Sequence, residues 1–233
     1  QALLITAGAS LRYFTGVAWG ATERLVALLL PVDGAPRMIC PRFELGSLEA
    51  SLAIAAGIAL WEEHENPCAL AAAMLAELGA TRLALDPAAP FSVANGLAKA
   101  APGLELLEAA PVVDGCRMTK SPAELALMAQ AKAMTLEVHR RAARILAEGI
   151  TTGEVRRFID QAHRALGADD GSSFCAVQFG VASAYPHGLP GEQTLTSGDL
   201  VLIDTGCRVQ GYNSDITRTY VFGEPSPEHR RIW

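Results

Sequence analysis

Apolar residues fall along the first half of the chain in short runs divided by turn signals. Ala2–Thr6 and Arg24–Leu30 are apolar stretches of strand length. The turn Val32-Asp33-Gly34-Ala35-Pro36 separates the second from Arg37–Cys40, its hairpin partner by this pattern. Helical spacing follows over Arg42–Ala56 and over Pro67–Gly79, with Gly79 as a stop signal. Arg82–Asp86 reads as a strand, Phe91–Ala100 as a helix and Leu104–Glu108 as a last strand. Strands and helices in alternation predict an α/β layer domain.

Pro111–Pro122 carries no period and contains Asp114-Gly115, so the pattern predicts a loop and a domain boundary there, dividing the chain into 1–114 and 115–233. A strong helix start follows at Ser121-Pro122-Ala123-Glu124. Serine can cap, proline fits the first helical position and glutamate can reach back to complete a capping box. The helix should run to about Glu148. Thr151-Thr152-Gly153-Glu154 repeats the signal for a second helix ending at Gly167, and strands follow from Phe174. No internal repeat is visible.

Composition and charge narrow the function. Half of the residues are hydrophobic and 19% are charged, enough to bury a core and too apolar for a disordered chain. The formal charge of −6 sits in the first half: residues 1–116 hold 6 basic against 12 acidic side chains, and residues 117–233 hold 13 of each. Neither half offers the basic stripe that a phosphate backbone requires, so no nucleic-acid partner is expected. No apolar run reaches the roughly 20 residues of a membrane helix, and Gln1–Ala7 lacks the basic flank of a signal peptide. A soluble, cytoplasmic protein is the expectation. The five cysteines form no C-x-x-C pair and are odd in number, against a disulfide framework or a thiolate zinc site.

The densest candidate chemistry lies in Gly198–Phe222. Leu200–Asp204 reads as a strand ending in a carboxylate, Arg208–Gly211 as a turn and Tyr212–Phe222 as a second strand. A turn centred between Val209 and Gln210 would set Asp204 directly opposite Asp215 on one face, with β-carbons about 5 Å apart. Two carboxylates so close repel, and a divalent ion, or a pair of them, resolves the conflict. The plainer alternative makes Asp204 a turn residue and pairs Asp215 with Arg218. Asp is depleted in strands, which weighs against a purely structural role. Thr217 and Thr219 share the face of Asp215, where one can hydrogen-bond a ligating carboxylate.

A second candidate is His187, which prolines and glycines hold in the loop Tyr185-Pro186-His187-Gly188-Leu189-Pro190-Gly191. It can polarise a carbonyl or move a proton, or it can be an ordinary surface histidine. His64, His139, His163 and His229 lie on helical or polar stretches and read as solvated or helix-face residues. The chain has no G-x-G-x-x-G after a strand, no P-loop, no H-E-x-x-H and no G-x-S-x-G. Cys175 reads as a buried, unreactive thiol on a strand.

Asp204 in LVLIDTG, Asp215 in GYNSDITRTY and the PHG loop at His187 resemble the pita-bread metallopeptidases. The whole layout resembles the Xaa-Pro aminopeptidase and Xaa-Pro dipeptidase (prolidase) branch. LLITAGASLRYFTG resembles that branch's N-terminal domain, and CRMTKSPAELALM the start of its catalytic domain. The resemblance implies a creatinase/prolidase-type α/β domain followed by the first part of a pita-bread α+β domain. Asp204 would chelate one of two divalent ions and Asp215 would bridge both. The ions would be manganese, with zinc or cobalt as alternatives. A metal-bridging hydroxide would attack the bond before proline in a peptide with proline at its second position. His187 would contact substrate and stabilise the tetrahedral intermediate. The resemblance also implies a homodimer. The family's other ligands, a histidine and two glutamates, lie C-terminal to the second aspartate, so this chain reads as a fragment with little activity of its own. The competing function is an inactive relative that docks peptides or proteins.

Overall fold

The computed structural model describes residues 1–232 and divides the chain into two compact units, Gln1–Thr119 and one beginning at Lys120. In the first unit, β1 (Ala2–Thr6), β2 (Ala27–Pro31), β3 (Arg37–Pro41), β4 (Gly57–Trp61), β5 (Arg82–Leu85) and β6 (Glu105–Glu108) form one sheet in the order β4-β3-β2-β1-β5-β6. β2 is antiparallel to both neighbours and every other pairing is parallel. The helices are α1 (Ala9–Thr15), α2 (Leu45–Ser51), α3 (Pro67–Glu77), α4 (Phe91–Ala100) and α5 (Ala110–Met118). Alternation along β1 sorts them. Ala2 and Leu4 pack with Ala71, Leu75 and Leu97 of α3 and α4. Leu3 and Ile5 pack with Leu11, Leu48 and Val113 of α1, α2 and α5. A sheet buried on both faces explains the near-continuous apolar strands.

In the second unit, α6 (Pro122–Ile145) and α7 (Thr152–Ala165) cover one face of a sheet with the order β10-β8-β7. Its strands are β7 (Ser172–Phe179), β8 (Leu200–Val209) and β10 (Ile216–Val221), and the short β9 (Tyr212–Asn213) also pairs with β8. Both capping boxes form: Ser121 with Glu124, and Thr151 with Glu154. Each cap is worth about 1 kcal/mol. Val177, Phe179, Val201 and Ile203 face Val138, Ala142, Val155 and Ile159 of the two helices. The residues alternating with them along β7 and β8 point to the opposite face. A short helix, α8 (Pro227–Ile232), ends the described chain.

Several expectations change. The loop expected over Pro111–Pro122 is largely α5, which runs across the boundary expected at 114/115. Pro111 falls in its first turn and Asp114-Gly115 lies inside it, so residues that usually mark a turn sit within a helix that buries Val113. The long helix expected over Arg42–Ala56 is a 3-10 turn at Arg42–Glu44 and then α2. Beyond α2 the chain turns extended, and Ala53 N–H donates to the carbonyl of Thr15. The pattern misses α1 and β4. α6 ends at Ile145, three residues before the expected Glu148.

Candidate metal centre

The strand pair β8–β10 sets Asp204 opposite Thr217 rather than Asp215, because the register is Thr205↔Ile216, Asp204↔Thr217, Ile203↔Arg218. The same register holds beyond the break, with Arg208 opposite Asn213 and Val209 opposite Tyr212. The turn therefore lies at Gln210-Gly211, one residue later than the expected centre. Gln210 (φ 51°) and Gly211 (φ 83°) both take the left-handed conformation. A two-residue hairpin loop with both residues left-handed suits the strand twist, and a β-branched residue such as Val209 is disfavoured there. Asp169 fixes the turn, its two carboxylate oxygens accepting from Gln210 N–H and Gly211 N–H at 2.9 Å each.

This correction moves Asp215 but keeps it on the same side. Asp215 follows Ser214 in a two-residue gap between β9 and β10, opposite Gly206. Ser214 is buried toward α6, its hydroxyl 2.7 Å from that of Thr135 and accepting from Cys207 N–H at 2.9 Å. Asp215, next along the chain, is exposed, and alternation from the buried Ser214 turns it to the side of Asp204 and Thr217. Residues so placed are diagonal neighbours, which in regular antiparallel strands stand about 7–8 Å apart. Asp204 is half-buried, and Thr217 Oγ1 donates to its Oδ1 at 2.7 Å. The other oxygen is left for a further partner. Arg218 lies on the opposite face and donates to the carbonyl of Thr217, so the alternative pairing with Asp215 does not form.

His187 sits in the turn after a 3-10 segment, Gly180–Ala184, that follows β7. It is exposed, and a buried side chain holds its loop from below. Gln178, 4% exposed, lies opposite Leu202 and so points to the Asp204 face. With its amide oriented to satisfy its surroundings, Gln178 donates to the carbonyls of Ala182 (3.0 Å) and Tyr185 (3.2 Å) and accepts from Gly188 N–H (2.8 Å). Gly188 takes φ 70° there. The His187 loop is thus tied to the sheet face that carries both aspartates.

The two acidic side chains are oxygen donors of the kind that suit hard divalent ions. Among the described residues, no group of three or more His, Cys, Asp or Glu side chains gathers to hold a metal. The described residues supply a pair of carboxylates and a threonine that orients one of them.

Behind this face lies a polar network with no sequence signal. His163, read above as a solvated or helix-face residue, is fully buried on α7. Its Nε2 is 3.0 Å from Thr135 Oγ1 and its Nδ1 is 2.9 Å from Ser172 Oγ. The chain His163–Thr135–Ser214 therefore anchors the residue just before Asp215. Burial, with a smaller push from His139, lowers the His163 pKa to about 4. Its unfolded value is about 6.5, so the unfolded chain takes up the proton first. Stability is fully present above about pH 6.5 and is lost as pH falls toward the folded value, by up to about 3 kcal/mol. Urea midpoints of the wild type should fall over that window, and those of His163→Gln should fall much less. His139, also read as solvated, is buried on α6 with Nε2 2.9 Å from the carbonyl of Ile216. Cys175, expected to be buried, is half-buried on β7, and desolvation still pushes its thiol up to about 11.

Residues 1–119 match the creatinase/prolidase N-terminal domain, and residues 126–233 match metallopeptidase family M24. The chain belongs to the pita-bread peptidases of the creatinase/prolidase type. Among relatives of this family, the probable dipeptidase PepE of Mycobacterium tuberculosis is 34% identical over 97% of this chain and 60% of its own length. A Staphylococcus aureus peptidase is 32% identical over 100% of this chain and 65% of its own. The crystal structure of dipeptidase PepE from Mycobacterium ulcerans superposes with a TM-score of 0.88 at 36% identity, covering 97% of this chain and 61% of that one. That of a Thermococcus sibiricus prolidase does so with a TM-score of 0.89 at 30% identity, covering 100% and 64%. The chain thus spans about 60% of the length of the curated PepE relatives it matches. The mixed α/β architecture is the one this family shares, and no helix among the described residues is long and apolar enough to cross a membrane.

Proposed function

We propose that the full-length protein is a metal-dependent peptidase that cleaves the bond preceding proline in peptides with proline at the second position. Asp204 and Asp215 are its proposed ligands for two divalent ions, with manganese the first choice and zinc or cobalt next. One observation carries this reading: Asp204, with Thr217 Oγ1 donating to it at 2.7 Å, lies diagonal in register to the exposed Asp215. The names of the dipeptidase and prolidase relatives support it.

When bound, a pair of divalent ions activates water for attack on the scissile carbonyl. The chain's own residues do the rest. Thr217 holds one oxygen of Asp204, which fixes the carboxylate plane and keeps its second oxygen available. Asp215 leaves the strand at a gap, so its carboxylate is free of the ladder and reaches outward. The His187 ring, on a loop braced by Gln178, donates to the carbonyl oxygen as negative charge develops there. Removing the hydroxyl with Thr217→Val should cost about 10–100-fold in metal affinity, as supporting hydrogen bonds to metal ligands commonly do. Manganese titration by calorimetry would read the loss.

The test measures release of the first residue from Xaa-Pro dipeptides and tripeptides by the full-length protein, with added manganese and after exhaustive chelation. Cleavage of both lengths marks an aminopeptidase, and cleavage of the dipeptide alone marks a dipeptidase. Activity that survives chelation, or that ignores proline, would overturn the proposal.

A further inference from the structure

A cleft in the first unit takes no part in the proposed peptidase chemistry. β2 alone runs against the other five strands, so β1, β4 and β5 all end on the same edge of the sheet. α3 follows β4 and α4 follows β5, so both helices begin at that edge. Open α/β sheets bind ligands outside the carboxyl ends of their strands. A cleft of about 220 Å³ lies there, walled by Thr6, by the segment leading to β2 and by the first residues of α3 and α4.

Two features point to an occupant. Thr6 is 4% exposed and its hydroxyl has no partner among the described residues. It alternates with Ala2 and Leu4 on the face covered by α3 and α4, so it points toward their N-termini. An unpaired buried hydroxyl costs about 1–3 kcal/mol, which a ligand can recover. The second feature is the start of α4. Its N-cap is Pro90, with no side-chain cap, and Val93 N–H and Ala94 N–H both donate to the Pro90 carbonyl. The N–H groups of Phe91 and Ser92 then have no acceptor among the described residues. Open amides at a helix start favour an anion.

Charge and lining set the class of that anion. The one cation in the wall, Arg24, is already engaged by Glu63 (2.7 Å) and by Glu23. No spare positive charge remains for a phosphate, and much of the wall is apolar, including Pro67 and Val93. We propose that this cleft binds a small apolar carboxylate about the size of an amino-acid skeleton. Its oxygens take the Ser92 N–H and the Ser92 and Thr6 hydroxyls, and its hydrocarbon end lies on the apolar wall.

The experiment uses the full-length protein stripped of metal by chelation, so the aspartate pair cannot capture the probe through bound ions. Success or failure here is then separate from that of the peptidase proposal. 4-Methylpentanoate is titrated and followed by NMR, with 4-methylpentanamide and inorganic phosphate as controls. Saturable binding of the acid is expected at millimolar concentration, with neither control competing. Thr6→Val, close to isosteric, should weaken it at least about fivefold. Ser92→Glu should abolish it while preserving the fold, because Ser92 is exposed and a carboxylate in the first turn suits the helix dipole. If Thr6→Val fails to fold, Ser92→Glu decides alone. No saturable binding up to about 50 mM overturns the proposal. So does equal binding of the amide, tighter binding of phosphate, or Ser92→Glu binding as well as wild type. A crystal soaked in the acid that shows only water at Thr6 Oγ1 does the same.

Discussion

Asp215→Asn in the full-length protein is expected to lower peptidase activity by well over about a hundredfold and to abolish tight manganese binding, while leaving the fold intact. The lower bound follows from outer partners of metal ligands, whose loss already costs about 10–100-fold. The side chain is exposed and lies in a gap in the ladder, so the amide meets no steric obstacle and breaks no hydrogen bond among the described residues. In metal-free protein the variant should be as stable as wild type or slightly more so, because one of two neighbouring like charges is gone. Asp204→Asn should behave similarly toward metal. Without metal its stability should change little, because the amide oxygen still accepts from Thr217 Oγ1 and only the charge that strengthens that bond is lost. Activity and calorimetric metal binding are read on the same samples. If both variants kept full activity, the aspartates would have no part in the chemistry. If the wild type neither cleaved Xaa-Pro peptides nor bound metal, yet still held a peptide partner, the docking alternative would take over.

The register error shows how far the sequence could be read. Both aspartates, their common face and a threonine bonded to one of them are visible in LVLIDTG and DITRTY, because strand periodicity fixes which side each residue takes. A hairpin centre moved by one residue shifts every pairing by two and leaves the alternation of faces unchanged, so the direct opposition fails while the argument for a common side does not depend on it. The left-handed pair Gln210-Gly211 was readable: glycine suits the second loop position and valine resists such a backbone. The anchoring by Asp169 was not, since it joins residues about 40 apart in the chain. The His163–Thr135–Ser214 network is hidden for the same reason. Each member reads as an ordinary polar residue until α6, α7 and the strands are brought together. In the first unit, β1, β2, β3, β5 and β6 announced themselves through apolar runs. α5 did not, because Pro111 and Asp114-Gly115 read as turn signals within it.

Gly206→Ala is expected to damage the second unit more than any other small substitution on this face. A methyl group at Gly206 would lie 1.9 Å from the carbonyl oxygen of Ser214 and 2.8 Å from its carbonyl carbon. Those are backbone atoms, and the backbone there is held by Ser214 N–H donating to the Cys207 carbonyl at 2.9 Å and by Ser214 Oγ. No side-chain rotation relieves the contact, so the Ser214-Asp215 segment must lift away from β8. A forced backbone shift of this kind costs about 3 kcal/mol, and it also breaks the buried bond between Ser214 and Thr135. Two readouts should move together: a lower urea midpoint, and a manganese affinity reduced about as much as by losing a supporting ligand contact, roughly 10–100-fold. Gly46→Ala is the control, since its added methyl would meet nothing within 4 Å inside α2. That change should stabilise the protein by about 0.5–1 kcal/mol and leave metal binding alone. A Gly206→Ala protein with wild-type stability and metal affinity would mean that the strand carries Asp215 without the close crossing, and the geometry assigned to this face would have to be redrawn.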